Sequence, residues 1–331
     1  MYTLFQRPDK IDEPLHVVMT VFNSPRWRSR YKLFEDALKR IKGRVIPYVA
    51  EVAFGERDFV VKPTDNLPEK NILKLRTHHE LFLKENTQNL MVQRLPPSWK
   101  YVALLDGDLT FVEDDWHDEV IHALQHNPII QCYSQALPLG PNGEPIGKPR
   151  LSISYNYLNQ GNSLFKENYS YGAKGWGLAW AYRREAWDGL GGMIDWSILG
   201  GGDWFMGHAL WGNITKAIQR RKYHPRYSQL MYEWQNRAKN TYWQERPLLG
   251  NVGVIKGLVL HHWHGPTEGR QYKTRPQTLV KHHFNPDVDL KRDWQGLYQL
   301  TSNKPELRRD IQRYFRTRNE DSVDLDKESV N

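Results

Sequence analysis

The residues best placed to do chemistry are two carboxylates, Asp106 and Asp108, which are separated by Gly107. Residues two apart on an extended chain project from the same side, and glycine adds no side chain that would crowd a ligand. Two adjacent negative charges cost free energy unless a cation lies between them, and such oxygen ligands suit Mg²⁺ or Mn²⁺. A divalent ion held there can bind a diphosphate and stabilise its charge as it departs. The alternative interpretation is an Asp-Gly-Asp turn that caps the following helix.

A second candidate is Asp203, which follows the three glycines at 200–202 and precedes a helical pattern over residues 205–211. A carboxylate at this position can accept a proton from an acceptor hydroxyl within hydrogen-bond reach. The same residue type is also a common N-cap, so the residues alone favour a general base and a helix cap equally.

Three histidines, His261, His262 and His264, follow an apolar strand pattern over residues 252–260. Neutral imidazole binds Mn²⁺ or Zn²⁺ well, so one histidine can complete the ligand shell begun by Asp108. On a strand, His262 and His264 would face one way and His261 the other. A single histidine is more often structural, but three within four residues at a strand end favour at least one metal ligand.

These residues need elements that hold them, and the sequence predicts a parallel sheet. Residues 101–105, directly before Asp106, are apolar without alternation, as in a strand covered on both faces whose carboxyl end meets ligands. Residues 15–22 and 44–54 predict two further strands joined by a helix, which is the right-handed crossover unit of a parallel sheet. The pattern therefore predicts the α/β class.

The rest of the chain predicts two halves and a tail. We expect a long helix over residues 69–95 and, over residues 137–148, a loop rich in Gly and Pro that separates the halves. The predicted units are a nucleotide-binding half at 1–136, an acceptor-binding and catalytic half at 149–300, and a basic helix with a disordered acidic tail at 301–331.

Composition excludes several classes of protein. The single cysteine, Cys132, excludes an internal disulfide framework and a cysteine zinc site. No segment approaches the roughly 20 apolar residues of a membrane span, and the first residues lack an apolar secretory region, so we expect a cytoplasmic protein without membrane insertion. Trp180 stands where a dinucleotide fingerprint needs its third glycine, and no P-loop pattern occurs. The net charge of +8 is consistent with an anionic partner, nucleic acid included, or with solubility alone.

Taken together, the strand-end Asp-Gly-Asp, the Gly-Gly-Gly-Asp ending at Asp203 and the late strand-end histidine resemble nucleotide-sugar-dependent glycosyltransferases of the GT-A fold. The chain also resembles, over roughly residues 15 to 318, a family-2-like group found in bacteria and bacteriophages. The motifs that carry this second resemblance are Lys84-Glu85-Asn86, Leu95-Pro96-Pro97-Ser98-Trp99, Trp180, Arg183-Arg184-Glu185 and His261-His262-Trp263-His264-Gly265.

The resemblance implies a Rossmann-like sheet and a metal-dependent transfer of sugar from a nucleoside-diphosphate donor, with a UDP-sugar as the expected co-substrate and Mn²⁺ or Mg²⁺ as the cofactor. Asp108 would bind the metal, Asp106 would contact the ribose or the metal, and His264 or His262 would be the third protein ligand. Asp203 would be the base if the reaction inverts the anomeric centre.

The same resemblance assigns the two ends of the site. Thr20, Phe22, Asn23 and Glu51 would hold the nucleoside. Similar phage proteins glycosylate modified DNA bases, so a hydroxymethylated pyrimidine in DNA is the expected acceptor. Such a base would flip into a pocket lined by aromatic side chains. The candidate acceptor-binding residues are Trp176, Trp180 and Trp204.

Three other interpretations stay open at this point. The acceptor can instead be a surface glycan or a lipid-linked sugar. The carboxylates and histidines can also serve a metal-dependent hydrolase or nuclease, which activates water and needs no donor nucleotide. A non-catalytic nucleic-acid-binding module is the third alternative, and its affinity would depend steeply on salt.

Overall fold

The computed structural model describes residues 13–41, 43–160 and 175–325. The strands are β1 (Leu15–Phe22), β2 (Val45–Phe54), β3 (Ile72–Thr77), β4 (Tyr101–Leu105), β5 (Leu109–Phe111), β6 (Ile129–Gln131), β7 (Gln135–Pro138), β8 (Arg150–Leu151), β9 (Ala179–Arg183), β10 (Tyr242–Trp243), β11 (Arg246–Pro247), β12 (Val252–Val254), β13 (Leu258–His261), β14 (Leu290–Arg292) and β15 (Tyr298–Leu300). The α-helices are α1 (Arg28–Arg40), α2 (Lys84–Val92), α3 (Trp116–Ala123), α4 (Ile153–Gln160), α5 (Arg184–Leu190), α6 (Gly202–Leu210), α7 (Ile214–Gln219), α8 (Pro225–Asn240), α9 (Arg275–Lys281), α10 (Pro286–Asp289) and α11 (Pro305–Thr317).

A seven-stranded sheet in the order β12-β6-β9-β4-β1-β2-β3 forms the centre of the fold. Its neighbours pair in parallel except at β9, which is antiparallel to both β4 and β6. Helices flank this sheet, so the predicted α/β class is confirmed. Strands β9 and β12 come from the second half of the chain and lie in the same sheet as β1 to β4. The two predicted halves therefore share one sheet, and the predicted boundary between them stays a prediction.

Strand β4 is buried on both faces, as its unbroken apolar sequence predicts. Val102 and Leu104 belong to the hydrophobic core on one face of the sheet. Ala103 and Leu105 belong to the core on the other face. The strand is thus fixed from both sides, and the carboxylates that follow it start from a rigid position.

Two predictions of secondary structure were wrong. Residues 69–95 form β3 and α2 rather than one helix, because Leu73, Leu75 and Thr77 are buried at alternate positions and extend the sheet beside β2. Residues 252–260 form β12 and β13 rather than one strand. Strand β12 pairs with β6 in the central sheet, whereas β13 pairs with β5 and β7 in another sheet.

That second sheet, in the order β5-β13-β7-β8, lies at the carboxyl end of β4 and positions the candidate site. Its antiparallel pairing sets His261 opposite Leu109, and the backbone N–H of His262 donates to the carbonyl oxygen of Asp108 at 2.8 Å. The register of one strand pair therefore brings the Asp-Gly-Asp segment against the histidine segment, which is far from it in sequence.

The predicted disordered tail is ordered over its first residues. Glu320 is buried and forms ion pairs with Arg30 and Arg318, and Asp321 accepts from the backbone N–H groups of Arg28 and Ser29 at the start of α1. The prediction considered only the polar composition of the tail, and these partners lie on other elements. Residues 326–331 of the predicted tail are outside the described residues. Among the helices described, none is long and apolar enough to cross a bilayer.

Candidate active site

A cavity of about 230 Å³ opens at the carboxyl ends of β1 and β4. Side chains from both predicted halves line it, as expected where the strands of an α/β sheet end. The lining residues with polar or charged groups include Thr20, Asn23, Arg30, Lys84, Glu85, Asp106, Asp108, Arg150, Asp203, His261, His264, Arg270, Tyr272, Arg275, Arg318 and Glu320. The number of charged groups is high for so small a volume, which indicates a site for a charged ligand.

Asp108, His261 and His264 form a group of potential metal ligands, with donor atoms all within 4.8 Å of one another. The Nε2 atom of His264 lies 3.1 Å from Oδ2 of Asp108 and 3.1 Å from Nε2 of His261. In the described part of the chain, Oδ1 of Asp108 is buried and has no hydrogen-bond partner. One carboxylate and two imidazoles match the ligand preferences of Mn²⁺, so these residues fit the metal that the resemblance implies.

Both histidines in this group are held in the neutral form that binds metal. Burial lowers the pKa of His261 to about 3, and the charge of Arg270 acts in the same direction. Burial, with Arg270 again adding to it, lowers the pKa of His264 well below the usual range. Neutral imidazoles offer a lone pair to a cation without first losing a proton.

The prediction that His262 binds metal does not fit the structure. Its Nε2 atom lies 2.7 Å from Oγ1 of Thr110, and it is outside the group formed by Asp108, His261 and His264. The prediction extended strand alternation through residue 264, but β13 ends at His261. Because the chain leaves the strand there, His264 instead of His262 lies beside His261.

Asp106 forms an ion pair with Lys84 at the start of α2 and is outside the group formed by Asp108, His261 and His264, so its contact with the ribose or the metal stays a prediction. Burial alone would lower the pKa of Lys84, but the neighbouring acids, Asp106 first among them, raise it above its ordinary value. Lys84 is therefore a fixed cation in the cavity. Lys84 belongs to one of the motifs on which the family resemblance rests. Neither the charge nor the spacing of this lysine in the sequence indicated a role for it in the site.

Asp203 lies in the first turn of α6 and lines the cavity, with Lys84 and Asp106 close enough to influence its charge. The N-cap is Gly201, in the left-handed conformation with φ of 92°, so the interpretation of Asp203 as the N-cap is wrong. Burial raises the pKa of Asp203, while Lys84 opposes the increase. A Cβ atom at Gly177 would lie 2.5 Å from Oδ2 of Asp203, so the glycine permits this close approach.

Arginines surround the metal-ligand group. Arg30 and Arg318 both bind Glu320, with Arg30 Nε at 2.6 Å from Oε2 and Arg318 Nε at 2.6 Å from Oε1. Arg150 and Arg270 also line the cavity, and neither forms an ion pair with a carboxylate of the described residues. Nothing in the sequence indicated that Arg150 and Arg270 line a cavity, because isolated arginines on a basic protein are usually exposed.

The predicted nucleoside contacts divide into two groups. Thr20, Phe22 and Asn23 line the cavity, at the end of β1 and in the loop after it. Glu51 does not, and the structure contradicts its predicted role: its two carboxylate oxygens accept from the backbone N–H groups of Val60 and Val61 at 2.7 and 2.9 Å. Glu51 is a buried residue that fixes a loop.

Of the three predicted acceptor-binding tryptophans, only Trp176 lines the cavity. Trp180 is 3% exposed and donates from Nε1 to the backbone carbonyl of Trp176. Trp204 is also 3% exposed and packs edge-on against Trp176 and His208. Trp180 and Trp204 belong to the same core as Trp176, which is 4% exposed, but they do not line the cavity, and their acceptor contacts stay a prediction. Residues 172–174 of the glycine-bearing segment before them lie outside the described residues.

No family model and no curated protein matches the sequence. Several solved structures are similar at low identity. S. aureus TarS 1-349 is 11% identical with a TM-score of 0.36, and the match covers 59% of this chain and 54% of that one, about half its length. A mutant Drosophila β1,4-galactosyltransferase 7, in complex with manganese, UDP-Gal and xylobiose, is 14% identical with a TM-score of 0.38, covering 89% and 97%. GalNAc-T7 with UDP, GalNAc and Mn²⁺ is 11% identical with a TM-score of 0.38, covering 76% and 44%.

Proposed function

We propose that the protein is a metal-dependent glycosyltransferase of the GT-A type that moves a sugar from a UDP-sugar to an acceptor hydroxyl. The observation that carries the proposal is the set of Asp108, His261 and His264 in one cavity with the carboxylate of Asp203. The first three side chains would hold Mn²⁺, and Asp203 would face the acceptor. A bound Mn²⁺ supplies positive charge that stabilises the departing diphosphate.

The chain's own residues supply the remaining parts of the reaction. Arg150 and Arg270 offer positive charge to the phosphates beside the metal ligands. Asp203 accepts the proton of the acceptor hydroxyl as the hydroxyl oxygen forms a bond to the anomeric carbon. The bond from that carbon to the phosphate oxygen breaks, and its electron pair leaves with UDP. Thr20, Phe22 and Asn23 lie at the end of the cavity assigned to the nucleoside.

For the acceptor, we propose a hydroxymethylated pyrimidine in phage DNA, on the basis of the family resemblance and the net charge of +8. The test compares sugar transfer from radiolabelled UDP-glucose to duplex DNA with hydroxymethylcytosine, to the same duplex with cytosine, and to a soluble oligosaccharide. Transfer only to the modified duplex supports DNA as the acceptor. Transfer only to the oligosaccharide removes DNA and leaves the glycosyltransferase assignment in place.

The donor site is tested by calorimetric titration of UDP with and without Mn²⁺. We expect binding that requires the metal and is lost in Asp108→Asn. The matched control is Asp114→Asn, which makes the same change at an exposed position outside the cavity. Failure of UDP to bind the wild-type protein in Mn²⁺ would contradict the proposal, and hydrolysis of a phosphodiester substrate would then favour the hydrolase.

A further inference from the structure

Glu85 is a buried acid in the cavity to which the proposed reaction assigns no role. It is the second residue of α2, is 3% exposed, and lines the same cavity as Asp203. A Cβ atom at Gly202 would lie 2.8 Å from Oε1 of Glu85 and 3.0 Å from the carbonyl oxygen of Ile194. The absence of a side chain at position 202 therefore creates the space in which the Glu85 carboxyl lies against the start of α6.

The charged groups around Glu85 come from four elements. Lys84 precedes it on α2, Asp106 follows β4, and Asp203 lies on α6. Tyr227 on α8 is also close enough to Glu85 for the charge of that acid to influence the pKa of the tyrosine. Arg275 on α9 also lines the cavity, and its positive charge acts on Asp203. Lys84 is ion-paired with Asp106. The negative charge of Asp203 favours the protonated form of Glu85.

Glu85 is the acid best suited to hold a proton. Burial raises its pKa, the charge of Lys84 acts against this, and the charge of Asp203 adds to it, so that the pKa is about 8. A backbone N–H lowers the pKa of each acid, but only Asp203 also has the charge of Arg275 beside it, which favours its ionised form. The two acids therefore differ: Asp203 can take a proton in the reaction while Glu85 carries one already.

We propose that Glu85, as a neutral carboxylic acid, hydrogen-bonds a hydroxyl group of the sugar being transferred and so selects the donor. The inference rests on the proposed function, because the sugar must lie between the diphosphate at the metal ligands and the acceptor at Asp203. A protonated carboxyl offers one donor and one acceptor, which matches sugar hydroxyls, whereas a carboxylate only accepts. Glu85 is thus a residue for donor specificity, separate from the proton acceptor Asp203.

The test compares Glu85→Gln with Glu85→Ala. Glutamine keeps a donor and an acceptor in nearly the same shape without a charge, and alanine keeps neither. Calorimetry in Mn²⁺ measures binding of UDP, UDP-glucose and UDP-galactose to each variant. We expect the wild type and Glu85→Gln to bind one sugar nucleotide more tightly than the other. In Glu85→Ala, affinity for that nucleotide falls about tenfold while affinity for UDP is unchanged. The control is Glu56→Gln, at a side chain that is 92% exposed.

Unfolding in urea provides a second readout that needs no ligand. The unfolded chain loses the Glu85 proton near pH 4.5 and the folded chain near pH 8, so folding is disfavoured progressively across that interval. The urea midpoint of the wild type should therefore fall relative to that of Glu85→Gln as pH rises from about 5 to about 8. Glu56→Gln should follow the wild type.

Each outcome separates the inference from the function on which it rests. Sugar selectivity lost in both Glu85→Gln and Glu85→Ala would show that the ionised carboxylate is required, and would overturn the inference. Selectivity retained in Glu85→Ala would overturn it as well, as would parallel pH profiles of the wild type and Glu85→Gln. Absence of UDP binding by the wild-type protein would instead overturn the proposed function, and this inference with it.

Discussion

Replacing Glu320 with glutamine removes the charge that joins the C-terminal segment to the first helix. The Glu320 side chain is 2% exposed and accepts hydrogen bonds from Arg30, at 2.6 and 2.8 Å, and from Arg318 at 2.6 Å. Glutamine has nearly the same shape but no charge, so Arg30 and the largely buried Arg318 lose the negative charge that lies between them. We expect the variant to fold with lower stability.

The magnitude follows from the pKa of the carboxyl group. Burial alone would raise the pKa of Glu320, but Arg30 and Arg318 lower it to about 2, compared with 4.5 for an unperturbed glutamate. That difference corresponds to about 3 kcal/mol of folding free energy at neutral pH. Because the folded-state pKa is the lower one, this stability is present above about pH 4.5 and is lost as pH falls towards 2.

Urea unfolding followed by tryptophan fluorescence measures the effect. At pH 7, Glu320→Gln should lose about 3 kcal/mol relative to the wild type, and the difference should shrink as pH falls from about 5 towards 3. Glu56→Gln, at an exposed position, should match the wild type throughout. A loss below about 0.5 kcal/mol at pH 7, or a difference that does not depend on pH, would refute this reasoning.

Two further predictions concern the cavity. His261→Ala should weaken Mn²⁺ binding more than about tenfold, whereas His262→Ala should leave it within about threefold, as measured by calorimetry; equal losses would contradict the assignment of ligands. Asp203→Asn should keep UDP affinity but reduce sugar transfer at least about a hundredfold, because it removes the proton acceptor. Full turnover by that variant would remove Asp203 from the mechanism.

The parts of the fold that sequence predicted well depend on near neighbours in the chain. Strand β1 was predicted with its observed bounds, Leu15–Phe22, and β4 was predicted with the carboxylates at its end. In both, burial on two faces of a parallel sheet produces an unbroken apolar run that leaves a local signal. The error over residues 69–95 has the opposite cause: the alternation in β3 is short, and good helix-forming residues surround it.

Only part of the cavity was predicted, because the type of a residue does not give the direction of its side chain. Glu51, Trp180 and Trp204 have types that suit a binding site, yet all three are at most 3% exposed and make contacts inside the protein. Arg270 and Glu320 were missed for the reverse reason. Their partners are set by how distant segments pack, and no spacing in the sequence reports that packing.

The different roles of Asp106 and Asp108 follow from two such distant segments. Helix α2 supplies Lys84, which neutralises Asp106, and the end of β13 supplies His261, which lies beside Asp108. Two acids that are equivalent in the sequence therefore differ in the structure. Asp106 is ion-paired, and Asp108 lies beside the neutral imidazole nitrogens of His261 and His264. This asymmetry allows a single divalent ion to be held at one side of the motif, while the fixed charge of Lys84 extends towards Glu85 and Asp203 at the other.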